Sequence, residues 1–148
     1  MKTVIFDLDG TLALIQRRRE LASSSGKFNW DVFFTPDNIE LDEPNWAVIK
    51  CFHALQKAGY NTVIFSGRDD ITKQKTVEWL EKYGMKVSLL VMRAHGDYTP
   101  DDVLKKQWLN QYFPNRSEVL CVFDDRDKVV SMWRSEGIDC FQVNFGDF

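Results

Sequence analysis

The sequence is organised around the stretch Thr3-Val4-Ile5-Phe6-Asp7-Leu8-Asp9-Gly10, near the start of the chain. Its first four residues form a short and largely apolar run, which predicts a buried strand. The residues that follow favour a turn, because Asp and Gly adopt turn conformations readily. The stretch therefore predicts a strand that ends directly at two alternating carboxylates, Asp7 and Asp9.

Strands and helices alternate along the rest of the chain. Apolar runs predict further strands at 60–65, 87–92, 119–123 and 140–143, and helical patterns occupy 46–58, 73–83, 101–112 and 127–136. This alternation predicts an α/β fold, with a parallel sheet covered by helices on both faces. Right-handed crossovers would bring the carboxyl ends of the strands to one edge, where ligands bind in such sheets.

Residues 14–44 show no clean period. They include three adjacent arginines, Arg17, Arg18 and Arg19, and several aromatic residues. We expect a short folded insertion here, because flexible linkers lack such aromatic residues. A chain of 148 residues fits one ordinary domain. The expectation is a single domain, 1–148, that carries this insertion.

The composition excludes some classes of protein. A net charge of −3 and a pI of about 5.4 argue against coating nucleic acid non-specifically, but they leave room for binding one end of it. No apolar run approaches a membrane span, and the residues before Asp7 are too few for a signal peptide. The three cysteines have no CxxC spacing, which favours free thiols and a cytoplasmic location.

Unusual polar residues gather where the predicted strands end. They are Asp7, Asp9, Ser66, Arg68, Asp124 and Asp125. Each group alone could be a turn or a helix cap, but their joint occurrence at consecutive strand ends favours a site. Carboxylates so close together repel one another, and a hard dication such as Mg²⁺ would neutralise them. Ser66 could hold phosphate oxygens, and a lysine could neutralise the remaining charge.

The same residues carry a family resemblance. Residues 6–12 resemble the first motif of the haloacid-dehalogenase-like (HAD) phosphatases, residues 65–68 the second, and Asp124-Asp125 the fourth. The third motif is a lysine near the start of a helix, for which Lys105 and Lys106 are candidates. The resemblance implies a Rossmann-like fold with a minimal cap, Mg²⁺ as cofactor and a phosphorylated aspartate as intermediate.

A narrower resemblance is to the 3′-phosphatase domain of phage-type polynucleotide kinase–phosphatase. It rests on Arg18, residues 66–68, Met92-Arg93, Gly96-Asp97, Asp101 to Lys105, residues 124–126, residues 130–134 and the final residues 142–148. It implies a catalytic set of Asp7, Asp9, Ser66 and Lys105, and a substrate-binding set of Thr11, Arg18, Gly67, Arg68 and Asp101. It also implies a metal site made by Asp7, the backbone carbonyl of Asp9, and one of Asp124 and Asp125.

The function implied is removal of a 3′-terminal phosphate from nucleic acid. Arg18 and Arg68 are expected to be free to contact the substrate, as parts of a local basic track with Arg17, Arg19 and Arg93. Because residues 14–44 differ from the family, Arg17 or Arg19 could take the role of Arg18. The choice between DNA and RNA, and the oligomeric state, stay open.

Two other functions compete with this one. The first is a nucleotidase, or another small-molecule phosphatase of the same superfamily, although the short insertions favour an open site. The second is a receiver domain of a signalling pathway, which shares the sheet, an acidic pair and a lysine. In a receiver the acidic pair follows the first strand and the phosphorylated Asp comes later in the chain.

Overall fold

The computed structural model describes residues 1–148. The strands are Thr3–Phe6 (β1), Ala13–Leu14 (β2), Glu43–Pro44 (β3), Asn61–Asp69 (β4), Leu89–Arg93 (β5), Val119–Asp124 (β6) and Cys140–Gln142 (β7). The α-helices are Gln16–Ser23 (α1), Trp30–Phe33 (α2), Trp46–Lys57 (α3), Lys73–Lys82 (α4), Asp101–Tyr112 (α5) and Asp127–Ser135 (α6). Short 3₁₀ helices occupy Pro36–Leu41, Asp70–Thr72 and Arg116–Glu118.

Five strands form one sheet in the order β5-β4-β1-β6-β7, and every neighbouring pair is parallel. The first strand of the chain is therefore the central one, and all four of its residues are buried. The predicted parallel α/β sheet is confirmed. Because the strands are parallel, Asp7 after β1 and Asp124 at the end of β6 come to the same edge.

Helices cover both faces of the sheet, and the alternation of side chains along β1 shows how. Ile5 points into one core, which also contains apolar residues of α5 and α6. Val4 and Phe6 point into the other core, together with residues of α3 and α4. Successive strand residues face opposite sides, so a strand covered on both faces must be apolar throughout. That requirement explains the unbroken apolar run before Asp7.

The observed boundaries differ from the sequence-based ones mainly at β4. This strand continues to Asp69, four residues beyond its expected end. The reason is that Ser66 still pairs with Met92, and Asp69 pairs with Arg93 after an irregularity in the register. Pairing at Ser66 and at Asp69 thus holds both ends of this segment, and Gly67 and Arg68 lie in the irregularity between them.

The insertion, residues 14–44, is built from short elements packed against this edge. A two-residue antiparallel ribbon, in which Ala13 pairs with Pro44, closes its base. Helices α1 and α2 pack on each other, and the 3₁₀ helix at Pro36–Leu41 packs on α4. Its Ile39 is fully buried with Leu8 and Leu12 in the core on the Phe6 side of the sheet. The insertion is therefore anchored beside the residues that follow β1.

Candidate active site

The carboxyl ends of β1 and β6 place two aspartates side by side. Phe6 is in register with Phe123, and the backbone N–H of Asp7 donates to the Phe123 carbonyl at 2.9 Å. Asp7 and Asp124 are both buried. Burial of two neighbouring carboxylates is unfavourable unless a cation or hydrogen bonds compensate. The structure supplies such a cation from a helix on one face of the sheet.

Lys105 of α5 lies between these carboxylates and is itself buried. Its Nζ donates to Asp7 Oδ1 at 2.8 Å and to Asp124 Oδ2 at 2.9 Å. Lys106 is exposed, because the next helical position points away from the sheet. We call Asp7, Lys105, Asp124 and the adjacent Asp125 the lysine cluster. Of the two candidate lysines, the structure brings Lys105 to the acids.

Hydrogen bonds fix the orientation of both aspartates in the lysine cluster. Thr11 Oγ1 donates to Asp7 Oδ2 at 3.1 Å, so both oxygens of Asp7 have partners. Asp124 accepts from the indole Nε1 of Trp133 at 3.1 Å and from the backbone N–H of Asp125 at 2.9 Å. Thr11 was predicted to bind substrate, whereas in this structure its hydroxyl contacts Asp7.

The pKa values of the lysine cluster reflect its excess of acids. Burial, followed by the charge of Asp124, raises the pKa of Asp7 well above its ordinary value, although Lys105 opposes the shift. Burial and Asp124 also raise the pKa of Asp125 to about 6. Burial lowers the pKa of Lys105, but Asp124 and Asp7 outweigh it and hold that pKa above its ordinary value. The lysine stays charged, and the raised pKa values of Asp7 and Asp125 show that Lys105 alone does not compensate the carboxylates.

The donor set of the lysine cluster fits a hard divalent cation. Oxygens of Asp7, Asp124 and Asp125 lie within 4.8 Å of one another, and all three residues are buried. Three carboxylates and one ammonium give a net charge of −3 + 1 = −2, which one Mg²⁺ would balance. The Asp9 carboxylate is outside this group, so only its backbone carbonyl remains as the expected ligand.

Gly10 makes the close approach of Asp125 possible. Its φ is +81°, a backbone conformation that residues other than glycine rarely adopt. A Cβ at this position would lie 2.1 Å from Asp125 Oδ2. The glycine after Asp9 is thus required both by its backbone conformation and by the carboxylate packed against it.

A second ionic group lies on the other side of the turn, around Asp9. Arg18 and Arg68 both donate to Asp9 Oδ1, at 2.7 and 2.8 Å. Both also bind Asp42, Arg18 at 3.0 and 3.1 Å and Arg68 at 2.7 Å. We call Asp9, Arg18, Asp42 and Arg68 the arginine clamp. Its two cations and two carboxylates balance, so the clamp has no net charge.

The clamp corrects one expectation from the sequence. Arg18 and Arg68 were expected to be free to contact substrate, but neither side chain is exposed. Their remaining N–H groups donate to the Phe33 carbonyl and to Thr76 Oγ1. The expected basic track therefore loses its two central members. The reason is Asp42, because its carboxylate pairs with both guanidinium groups and compensates their burial.

The same arginines control the ionisation of Asp9. Burial raises the pKa of this carboxyl, but Arg18 and then Arg68 outweigh it and hold the pKa below its ordinary value. Only Oδ1 accepts hydrogen bonds, and Oδ2 accepts none. The side chain is 21% exposed, in contrast to both of its arginine partners. One oxygen of Asp9 is thus anchored, and the other is available to a ligand.

The remaining predicted residues are Ser66 and Gly67 in β4 and Asp101 at the start of α5. Ser66 is buried, and its Oγ accepts from the Arg68 backbone N–H at 3.2 Å. Asp101 packs so closely on Gly67 that a Cβ there would lie 2.5 Å from its Oδ1. Asp101 also accepts from Arg93 at 2.6 Å and from Arg126 at 3.3 Å. In this structure Asp101 ties β5 and the Arg126 loop to the start of α5.

Sequence reasoning gave no role to two residues of the site, Asp42 and Trp133, although the resemblance includes Trp133 within residues 130–134. Asp42 lies in the aperiodic insertion between Glu40 and Glu43, and nothing in the sequence separates it from these exposed acids. Trp133 had a signal, because it lies on the buried stripe of α6. That stripe indicates packing, however, and not the hydrogen bond to Asp124.

Comparison with known proteins agrees with this geometry. The family model described as "Polynucleotide kinase PNKP phosphatase domain" matches residues 1–148. A bifunctional polynucleotide kinase/RNA ligase assigned in Autographa californica nuclear polyhedrosis virus is 36% identical over 136 residues. That match covers 90% of this chain and 18% of the viral protein.

Solved structures give the same result for the fold. A chain of the Pnkp1/Rnl/Hen1 RNA repair complex matches with a TM-score of 0.84 and 34% identity, over 99% of this chain and 43% of that one. A protein of Clostridium difficile assigned as a phosphatase shares the fold with a TM-score of 0.70 and 14% identity, over 99% and 87% of the two chains. This chain thus spans less than half of the first relatives it matches. None of its helices is both long and apolar enough to cross a membrane.

Proposed function

This chain belongs to the family of polynucleotide kinase phosphatase domains, and we propose that it removes 3′-terminal phosphates from nucleic acid with Mg²⁺ as cofactor. The observation that carries the proposal is the lysine cluster, in which Lys105 joins the buried Asp7 and Asp124 at the carboxyl edge of the sheet. We treat residues 1–148 as one phosphatase domain whose insertion contributes to the site without forming a separate cap domain.

Magnesium would be held by Asp7, the backbone carbonyl of Asp9, and one of Asp124 and Asp125. The three carboxylates offer only hard oxygen ligands, and their net charge with Lys105 is −2. When bound, the ion would neutralise charge on the phosphoryl group and let it approach an anionic nucleophile. The cysteine thiols are not part of this donor set.

Asp7 is the proposed nucleophile. A carboxylate oxygen of Asp7 attacks phosphorus, the bond from phosphorus to the sugar oxygen breaks, and an aspartyl phosphate forms. Water then attacks this phosphorus, and the bond from phosphorus to the Asp7 oxygen breaks. Inorganic phosphate leaves, and the carboxylate of Asp7 is restored. Thr11 and Lys105 hold the two oxygens of Asp7 before attack, which fixes the direction of the carboxylate.

Asp9 is the proposed acid and base. It gives a proton to the departing sugar oxygen and later takes one from the attacking water. The arginine clamp favours the carboxylate form of Asp9, which suits the second step. For the first step, the negative charge of a bound phosphate would raise its pKa, since like charges disfavour ionisation. Arg18 and Arg68 therefore act here as positioning residues for Asp9.

Ser66 and Lys105 are proposed to contact the transferring phosphoryl oxygens. Both side chains are buried at the edge between β4 and α5. Lys105 donates to Asp7 and to Asp124, and it could shift one of these bonds to a phosphate oxygen as charge develops. Gly67 packs against Asp101 at the start of α5, and its backbone is proposed to contact the same phosphoryl group.

A nucleic-acid end is favoured as substrate by the size of the insertion and by the relatives. The insertion consists of short elements and not of a separate domain, so we expect a site that a polymer end can reach. The viral relative is assigned as a polynucleotide kinase/RNA ligase and the structural relative belongs to an RNA repair complex, so we include RNA ends among the expected substrates. A nucleotidase of the same fold is the second candidate.

The test is a substrate panel with Mg²⁺. It compares an oligonucleotide with a 3′-phosphate, the same strand with a 5′-phosphate, and a nucleoside 3′-monophosphate, in DNA and RNA forms. We expect kcat/KM to be highest for the 3′-phosphate oligonucleotide and activity to vanish in excess chelator. A ratio of oligonucleotide to mononucleotide near or below unity would replace the polynucleotide assignment with the nucleotidase one.

A further inference from the structure

Four aromatic residues of the insertion form a compact group next to the arginine clamp. The Trp30 ring stacks on Phe34 at a centroid distance of 5.8 Å and meets the edges of Phe28 and Phe33 at 4.6 and 5.8 Å. Phe33 is buried, whereas Trp30 is 63% exposed. Three aromatic rings thus hold the indole in place while most of it faces solvent.

The position of Trp30 is fixed by its local structure. Trp30 is the first residue of α2, and the Asn29 side chain caps this helix by accepting from the N–H groups of Asp31 and Val32. Thr35 Oγ1 donates to the Asp31 carbonyl at 2.7 Å and closes the other end. The backbone that carries the exposed indole is therefore held by hydrogen bonds at both ends. Binding a ligand to this indole should cost little additional conformational entropy.

A short series of contacts connects this group to the catalytic edge. Trp30 touches Phe33, and the guanidinium carbon of Arg18 lies 4.2 Å from the centre of the Phe33 ring. Arg18 then donates to Asp9 Oδ1 at 2.7 Å. The exposed indole thus lies within a few side chains of Asp9.

Because Arg18 and Arg68 are buried, other residues must hold a nucleic-acid strand near the site. The protein has a net charge of −3, and Arg18 and Arg68 are used within the clamp. Attraction of phosphates alone is then a weak means of binding a polymer. Aromatic rings offer another means, because every base has a π face that can stack on an indole regardless of sequence.

We propose that the exposed face of Trp30 stacks on a base of the substrate strand next to its 3′-phosphate. This inference rests on the proposed function, and it names the feature that would select a polynucleotide end over a phosphate ester without a base. Phe28, Phe33 and Phe34 support the indole, and Phe33 links its position to that of Arg18 and Asp9. The ligand is a nucleobase in single-stranded form, since a base within a duplex does not present its face.

The experiment uses Trp30→Ala and Trp30→Phe in the full chain. The matched control is Trp46→Ala, because Trp46 is a tryptophan of similar exposure that packs on Tyr83 outside the aromatic group. Two substrates are compared: a single-stranded oligonucleotide with a 3′-phosphate, and the same strand with abasic sites at its last nucleotides. Thermal melting of each variant shows whether it is folded.

We expect Trp30→Ala to lower kcat/KM for the normal strand by about 5- to 150-fold, mainly through KM, because stacking contributes to binding. Trp30→Phe should recover most of this loss, and Trp46→Ala should show none. For the wild type, kcat/KM should be lower on the abasic strand than on the normal strand. On the abasic strand, Trp30→Ala should change kcat/KM little. Equal losses on both strands, or no loss on the normal one, would overturn the proposal.

Direct binding separates failure of this inference from failure of the proposed function. Fluorescence anisotropy of a labelled single strand without a terminal phosphate needs no catalysis. If the wild type does not hydrolyse 3′-phosphate ends, the proposed function fails, and weaker binding by Trp30→Ala than by Trp46→Ala still supports stacking. Equal binding by these two variants overturns the stacking proposal even if the 3′-phosphatase activity is present.

Discussion

The two ionic groups that flank the turn after β1 differ in charge balance and in origin. The lysine cluster has three carboxylates and one ammonium, and its members come from the end of β1, the end of β6 and α5. The arginine clamp has two carboxylates and two guanidinium groups, and it draws Arg18 and Asp42 from the insertion. With all groups ionised, the lysine cluster has a net charge of −2 and the clamp has a net charge of zero.

This difference separates two tasks that a buried polar site must perform. The lysine cluster keeps negative charge that only a ligand from solution can balance, so it is suited to binding a cation and to reaction. The clamp balances its own charges and leaves only Asp9 Oδ2 without a partner, so it is suited to holding Asp9 in one orientation. Because Asp7 and Asp9 are only two residues apart, the two tasks meet at one turn.

The largest effect should come from removing the reactive carboxylate of the lysine cluster. Asp7→Asn cannot form an aspartyl phosphate, and we expect kcat to fall more than about 10³-fold. The fold should persist, because an uncharged amide relieves repulsion with Asp124. Steady-state kinetics and melting check both points, with the exposed Asp139→Asn as control. Activity above about a hundredth of the wild-type rate would exclude Asp7 as the nucleophile.

The corresponding change in the clamp, Asp9→Asn, should depend on the leaving group. We expect a loss of about 10²- to 10⁴-fold with a sugar phosphate, because the departing oxygen needs a proton. An aryl phosphate, whose leaving group needs less protonation, should lose clearly less. Steady-state kinetics of Asp9→Asn and the wild type on both esters measure the two losses. Equal losses would show that Asp9 is not the acid.

The neutrality of the clamp is tested by Asp42→Asn. This change leaves two buried guanidinium groups with one carboxylate, and we expect the free energy of unfolding to fall by about 3–5 kcal/mol. Urea titration measures the change, with the exposed Asp37→Asn as control. Because no side chain of the clamp is expected to bind metal, the loss should be the same in Mg²⁺ and in chelator. A loss that Mg²⁺ repairs would contradict the distinction between the two groups.

Lys105→Met should show the opposite dependence on magnesium. It leaves three buried carboxylates without a cation, so we expect a large loss of stability in chelator. A bound dication would replace part of the missing charge, and about 1–3 kcal/mol should return at saturating Mg²⁺. The neighbouring Lys106→Met is the matched control, because its side chain is exposed. Identical melting curves of Lys105→Met with and without Mg²⁺ would refute the metal assignment.

The smallest effect concerns pH. The pKa of Asp125 is raised to about 6, so in chelator its folded-state ionisation costs stability as pH rises from about 4 to about 6. Magnesium needs the carboxylate form, so below about pH 6 its affinity should weaken by up to about tenfold per pH unit. Calorimetric titration with Mg²⁺ at pH 5 and pH 7.5 measures this dependence. An affinity independent of pH would show that Asp125 does not take part.

The two groups also differ in how far the sequence could predict them. The lysine cluster follows from local patterns, because parallel strands must end at one edge and Asp7, Asp124 and Asp125 follow strand ends. The choice of Lys105 over Lys106 came from the family resemblance. The clamp required knowing where the insertion lies, and residues 14–44 have no period that fixes their position. Arg18 was therefore identified as part of the site but given the wrong surroundings.

The sequence predicted the strands and helices of the fold more completely than the contacts of the site. The apolar runs specified all five strands of the main sheet and the four helices that cover it. What the runs could not show was the continuation of β4 to Asp69, because Ser66-Gly67-Arg68 is typical of a turn and its strand pairing depends on β5. Pairing between distant segments is the information that local patterns lack.

The hydrogen bond from Trp133 to Asp124 has an optical consequence. The indole of Trp133 is fully buried, and its Nε1 lies 3.1 Å from an oxygen of a carboxylate proposed as a metal ligand. The energy of indole emission depends on the electric field across the ring, and a charge so near in a dry interior produces a strong field. We therefore expect a change of charge at the reactive edge to shift the emission of Trp133, and comparison with Trp133→Phe would separate this signal from the other four tryptophans.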